Sequence, residues 1–267
     1  MCVCVSKRIS RASLAWAAAV LAPVLAGAQS AAEPAYVSPW RTPWTYQGER
    51  GSDHWSELDP QYAACKGAEQ SPIDIRHPVK ADLPVLRFEY RGAVVDYVIN
   101  NGHTIRVNYG APGSGDFLIV GDKRYQLTQF HFHHPSEERV GGKAYEMVVH
   151  LMHQSEDGEV AGLAVFVTAG RANPAVQRIW DRMPSAEGQR RAIGLTVNPA
   201  DFLPRRAGYY AYSGSQTAPP CNEGVKWFVL KTPIELSARQ IAAFAELYPD
   251  DVRPPQPLNG RVVTESR

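Results

Sequence analysis

Short runs rich in β-branched and aromatic residues punctuate the chain between residues 94 and 230. Val94–Ile99, Thr104–Tyr109, Phe117–Val120, Tyr125–Phe132, Glu146–His153, Leu163–Thr168 and Lys226–Leu230 are such runs, and Gly, Asn, Pro or Asp bounds most of them, which predicts strands. The alternation is strictest in Gln129-Phe130-His131-Phe132-His133. On a strand this sequence turns both histidines to one face and both phenylalanines to the other. Helical periodicity appears at Pro174–Met183 and Ser237–Leu247, the second with Ser237 as N-cap ahead of Arg239 and Gln240. The expected fold class is mainly β (α+β), with peripheral short helices.

The N-terminus departs from this pattern. Lys7, Arg8 and Arg11 precede an apolar run from Ala12 to Ala26, and Ala26-Gly27-Ala28 has the small-x-small form that signal peptidase accepts. Residues 1–28 are therefore expected to be a signal peptide; the run falls short of the ~20 apolar residues of a membrane span. Residues 29–43, rich in Ala, Pro and Ser, read as a flexible leader, and residues 44–263 as one domain without linker or repeat. The expected location is periplasmic or secreted.

Composition is that of an ordinary globular protein, 44% hydrophobic and 21% charged over 267 residues. Removing the signal takes three of the 28 basic residues and no acid, leaving 25 against 27 acidic groups, a net charge near −2. Neither that nor the +1 of the full chain supports a nucleic-acid partner, and nothing after the signal suggests a membrane. Cleavage also leaves two cysteines, Cys65 and Cys221, which in an exported protein favour a disulfide over two separate thiols.

His131 and His133 lie on one strand face with Cβ atoms ~7 Å apart, a span one zinc can bridge with bonds of ~2.0–2.1 Å. Taken alone the pair is weak evidence. His150, on a strand about a dozen residues later, can face the same point, while His153 has the opposite parity. Three histidines with an open fourth position are the pattern of a catalytic Zn2+ site rather than a structural one.

With these motifs assembled, the chain resembles the α-class carbonic anhydrases. The match is carried by Gln129-Phe-His-Phe-His133, Pro135-Ser-Glu137 and His150-Leu-Met-His153. Gln70-Ser-Pro-Ile-Asp-Ile75, Asn100-Asn-Gly-His103, Gly214-Ser-Gln-Thr-Ala-Pro-Pro-Cys221 and Arg253-Pro-Pro-Gln-Pro-Leu258 add to it. The motifs keep the family's order from Trp44 to Leu258. The resemblance implies a large twisted, mostly antiparallel sheet with a conical zinc cavity. It implies reversible hydration of carbon dioxide to bicarbonate and a proton. By the same resemblance Thr217 and Glu137 orient the attacking water, and His103 is the proton shuttle. Tyr46 and Asn101 would order water, Gln129 would support His131, and Met152, Gln216 and Trp227 would form the substrate wall.

Four positions depart from the family pattern. Gln216 stands where leucine is usual and should weaken a pocket for an apolar gas unless it turns outward. Ala218 replaces a threonine. Arg106 stands where many relatives carry an amide, and its charge is expected to disfavour a protonated His103. Val148 occupies the place of a glutamate that supports the third histidine in many relatives, so His150 is expected to lack a charged partner. Two other functions stay open on sequence: a catalytically weak binding domain on the same fold, and a zinc esterase side activity. A homodimer is also left open.

Overall fold

The computed structural model describes residues 1–3, 42–109, 115–192 and 194–267. Its strands are β1 (Asp74–Ile75), β2 (Val79–Ala81), β3 (Leu86–Glu89), β4 (Ala93–Asn100), β5 (Ile105–Tyr109), β6 (Phe117–Val120), β7 (Lys123–His133) and β8 (Arg139–Val140). They continue with β9 (Met147–Gln154), β10 (Val160–Ala169), β11 (Arg190–Ala192), β12 (Thr196–Val197), β13 (Tyr209–Ser215), β14 (Glu223–Leu236) and β15 (Thr264–Ser266). The α-helices are α1 (Trp55–Leu58), α2 (Pro174–Trp180) and α3 (Ala238–Ala245). Residues 4–28 of the expected signal and 29–41 of the expected leader lie outside the described residues. No helix among the described residues is long and apolar enough to cross a membrane.

Thirteen strands make one sheet. Its main path runs β11-β4-β5-β7-β9-β10-β14-β13-β15-β2, with β12 beside β4 and β3 joined through β6 to β7. Pairing is antiparallel except for β10 with β14 and β15 with β2. β1 and β8 form a separate parallel pair.

The register of β7 decides which residues reach the site. Tyr125 and Leu127 enter the main core, and so do Phe130 and Phe132, although the two pairs differ in parity. An irregularity in the β7–β9 register between Leu127 and Gln129 makes the switch. Beyond it Phe130 and Phe132 pack with Phe202, Trp180 and Phe244. Gln129, His131 and His133 are thereby turned to the other face.

The two longer helices close that core as the sequence predicts. Asn173 caps α2 through the backbone N–H groups of Ala175 and Val176. Ser237 caps α3 in a capping box: the Gln240 N–H donates to Ser237 Oγ and the Ser237 N–H donates to Gln240 Oε1. β13 was not foreseen. Its Ala, Gly and Ser are weak strand formers, but long pairing with β14 and a shorter one with β15 hold it extended. β15 carries the sheet past Val263, the expected end of the domain.

On the opposite face lies a second cluster with Val148, Phe166, Tyr212 and Trp227. A third gathers Trp44, Trp55 and Tyr62 about a disulfide between Cys65 and Cys221, as expected.

Candidate metal centre

β7 and β9 pair antiparallel, with His131 opposite His150 and His133 opposite Val148. Strand parity and this register bring the three histidines to one point. One ring nitrogen from each lies within 4.8 Å of the others. His153, of opposite parity, is buried elsewhere and receives a 2.7 Å hydrogen bond from, or donates one to, the Tyr90 hydroxyl.

The outer ring nitrogens are all held. His131 Nδ1 donates to Gln129 Oε1 at 2.9 Å. His133 Nδ1 donates to the Asp251 carbonyl at 2.7 Å. His150 Nε2 donates to Glu138 Oε2 at 3.0 Å. These bonds fix each tautomer so that His131 Nε2, His133 Nε2 and His150 Nδ1 present lone pairs inward. His133 Nε2 and His150 Nδ1 are buried with no hydrogen-bond partner among the described residues. Buried nitrogens without a donor are the groups a metal satisfies, and three imidazoles suit zinc.

Electrostatics keep two of the rings neutral. Burial, then His133, His150 and Arg106, hold His131 well below the usual histidine range. Burial and His150 do the same for His133. Burial acts in the same direction on His150, but Glu138 and Glu137 outweigh it and raise that pKa. The expectation that Val148 leaves His150 without a charged partner is thus corrected. The carboxylate comes from Glu138, on the segment before β8.

Glu137 lies on the inner side, its Oε2 3.4 Å from His133 Nε2 and 3.8 Å from His150 Nδ1. Burial pushes its carboxyl up to about 7; Glu138 adds to the rise, while His150, the Arg253 N–H and the Thr217 hydroxyl oppose it. The loop carrying Thr217 is tied down on both sides. Ser71 and Ser215 exchange bonds through their hydroxyls and backbone N–H groups at 2.9 and 3.0 Å. Gly214 allows this contact, since a Cβ there would lie 2.2 Å from Ser71 Oγ. Arg253 lies below, donating to Gln70 Oε1, the Ser71 carbonyl and the Cys65 carbonyl. Its own N–H donates to Glu137 Oε1 at 2.9 Å.

The three histidines open into a cavity of about 440 Å³. Tyr46, Asn101, His103, Arg106, Gln129, Met152, Gln216, Thr217 and Trp227 all line it. A larger open groove of about 1100 Å³, beside β7 and the β9–β10 turn, contains no histidine. His103 stacks on Trp44 with ring centres 3.6 Å apart, and burial lowers its pKa to about 4. Burial rather than Arg106 is the cause, and the Arg106 charge acts on His131 instead. Asn101 Oδ1 accepts the N–H groups of His103 and Thr104, so it shapes the turn that carries His103. Tyr46 meets the His103 ring edge-on. Trp227 lies 4.8 Å from the His150 ring. Gly162 lets it pack there, because a Cβ would come within 2.6 Å of the indole. Gln216 faces the cavity, and its Oε1 is buried without a hydrogen-bond partner among the described residues.

Sequence reasoning missed Glu138, Asp251 and Arg253 as supports of the site. Asp251 contributes a backbone carbonyl, which every residue type possesses. For Glu138 a signal existed, the consecutive acids Glu137-Glu138 on a segment that leads into a core strand.

The family model described as eukaryotic-type carbonic anhydrase matches residues 50–267. A carbonic anhydrase of Nostoc sp. is 43% identical over 232 residues, covering 84% of this chain and 86% of the relative. One of Neisseria gonorrhoeae is 39% identical, covering 84% and 88%. Among solved structures, the α-carbonic anhydrase of Thermovibrio ammonificans in complex with the inhibitor sulfanilamide superposes with a TM-score of 0.80. It is 42% identical and covers 85% of this chain and 99% of that one.

Proposed function

The chain belongs to the eukaryotic-type carbonic anhydrases, a zinc-dependent family, and we propose that it catalyses the reversible hydration of carbon dioxide to bicarbonate and a proton. The observation that carries this reading is the convergence of three imidazole nitrogens within 4.8 Å at the base of a cavity.

His131, His133 and His150 would hold the zinc. When bound, zinc supplies a water activated for attack on carbon dioxide. The protein orients that water. Glu137, acting as a carboxylate, can only accept hydrogen bonds. Thr217, whose hydroxyl lowers the Glu137 pKa, would turn its proton to that carboxylate, leaving Thr217 Oγ1 to accept one from the attacking water. That aims the water lone pair at the carbon. Met152 and Trp227 supply apolar wall for the gas. The released proton passes to His103, with Tyr46 and Asn101 beside the path. With its pKa near 4, His103 is neutral at pH 7 and ready to accept, but while stacked on Trp44 it is a weak base. Transfer is favoured when the ring moves toward solvent.

The Cys65–Cys221 bridge supports an exported protein, periplasmic or secreted. Carbon dioxide and bicarbonate are its small-molecule partners.

Stopped-flow hydration on native, chelator-stripped and zinc-restored protein tests the reading. Activity should vanish on stripping and return with zinc; hydration that survives complete metal removal would contradict it. In weak buffer His103→Ala should slow the rate and added imidazole restore part of it. An unchanged rate would move the shuttle role to another group.

A further inference from the structure

Glu138 is buried to 0% exposure, as is the His150 ring it accepts from. Its Oε2 takes the His150 Nε2–H at 3.0 Å, and its Oε1 is buried with no hydrogen-bond partner among the described residues. Burying a carboxylate costs several kcal/mol even after relaxation. The protein provides that charge with one imidazole N–H and no arginine or lysine ion pair among the described residues. Such an arrangement is stable where the imidazole itself carries positive charge, as it does when its other nitrogen binds a dication.

The backbone that carries Glu138 is also held. Ser136 Oγ donates to the Glu138 carbonyl at 2.8 Å and accepts the Tyr145 N–H at 2.9 Å. The Ser136 N–H donates to the Tyr145 carbonyl, and the Arg139 N–H to the Ile73 carbonyl. The backbone on both sides of Glu138 is therefore fixed, and the side chain enters from outside the strand that bears His150. Val148, two residues before His150 on β9, faces the same way as the histidine and is fully buried among Phe166, Tyr212 and Trp227. Val148 thus presents an apolar surface beside a carboxylate delivered by another segment.

We propose that Glu138 is the positioning residue that sets metal retention in this chain. It fixes the His150 tautomer with Nδ1 inward and supplies the negative charge behind it, while Val148 keeps its own place apolar so that a single carboxylate serves the ring. This rests on the zinc reading above. It has a consequence opposite to the one the sequence suggests. A glutamate at 148 in the otherwise unchanged protein adds a third buried carboxylate beside Glu137 and Glu138, with no second N–H on His150 to accept from. Like charges in one dry pocket oppose each other. The added glutamate should not tighten the site. Only when Glu138 is neutral should a carboxylate at 148 become useful.

The experiment is zinc release into excess chelator at one pH, on four full-length zinc-loaded proteins: wild type, Glu138→Gln, Val148→Glu and the double variant. Near-ultraviolet circular dichroism checks the fold of each. The glutamine keeps the shape and the acceptor oxygen and removes the charge. We expect it to release zinc about 10–100-fold faster, the usual cost of losing such a partner. Val148→Glu should release zinc no more slowly than wild type, and the double variant more slowly than Glu138→Gln. That rescue, from a different strand, is something a merely structural role for Glu138 would not produce. Wild-type release by folded Glu138→Gln would overturn the proposal, as would slower release by Val148→Glu. Should Glu138→Gln not fold, the Val148→Glu comparison decides alone. A wild-type protein that binds no zinc would instead overturn the functional reading on which this rests.

Discussion

Gln216 is the residue whose chemistry fits its surroundings least. Its Oε1 lies buried in the cavity wall with no hydrogen-bond partner among the described residues, across from Met152 and Trp227. Carbon dioxide offers such a group no donor. Leucine at this position removes a polar group whose desolvation costs about 1 kcal/mol or more. Gln216→Leu should therefore raise kcat/KM for carbon dioxide about fivefold, measured by stopped-flow hydration at low substrate. A flat or lower value would mean that the amide acts in the reaction. At this scale the sequence was a good guide where parity decides. Alternation on one strand placed His131 and His133 together, and the opposite parity of His153 excluded it. It was a poor guide to what stands behind a ligand. Glu138 reaches His150 across a turn, and no periodicity along β9 reports that contact.

At the scale of the element, β9 shows one strand serving two purposes. His150 faces the metal site, and three residues on His153 faces away, stacked on Tyr90 and hydrogen-bonded to its hydroxyl. Burial lowers the His153 pKa to about 3, against about 6.5 in an unfolded chain. Below pH 6.5 the unfolded chain takes up a proton that the folded protein refuses. Stability is therefore lost as pH falls from about 6.5 to about 3, by up to ~5 kcal/mol from this group. His153→Phe removes that term. In urea unfolding of chelator-stripped protein, the variant should lose less stability than wild type between pH 7 and 4. Parallel losses would show that His153 is protonated without penalty. The strand itself was legible, because its neighbours supply the β-branched and aromatic residues that sheets favour. β13 was not, since its Ala, Gly and Ser are weak strand formers and it is held extended by pairing with β14 and β15. Nor was the irregularity in β7 between Leu127 and Gln129, which turns the histidines away from the core.

Across the whole molecule, the site is held where distant segments meet. The Cys65–Cys221 bridge joins residues 156 apart, a closure that the chain-entropy model values at ~4–5 kcal/mol. It fixes the loop bearing Thr217 against the start of the domain. Arg253, from near the end of the chain, donates to the Cys65 and Ser71 carbonyls and through its backbone to Glu137. Asp251, two residues earlier, accepts from His133. Early, middle and late parts of the chain thus converge on one metal position, which explains why motifs spread from Gln70 to Leu258 mark a single site. The central claim is that His131, His133 and His150 together hold one zinc with a position left open for water. Zinc-edge X-ray absorption on the purified protein, with metal content measured on the same sample, tests it most directly. The account predicts one zinc per chain bound by three imidazole nitrogens at ~2.0–2.1 Å and one lighter oxygen ligand, with the imidazole signal lost in His131→Ala. Sulfur at ~2.3 Å, or an unchanged spectrum and full zinc content in His131→Ala, would contradict it.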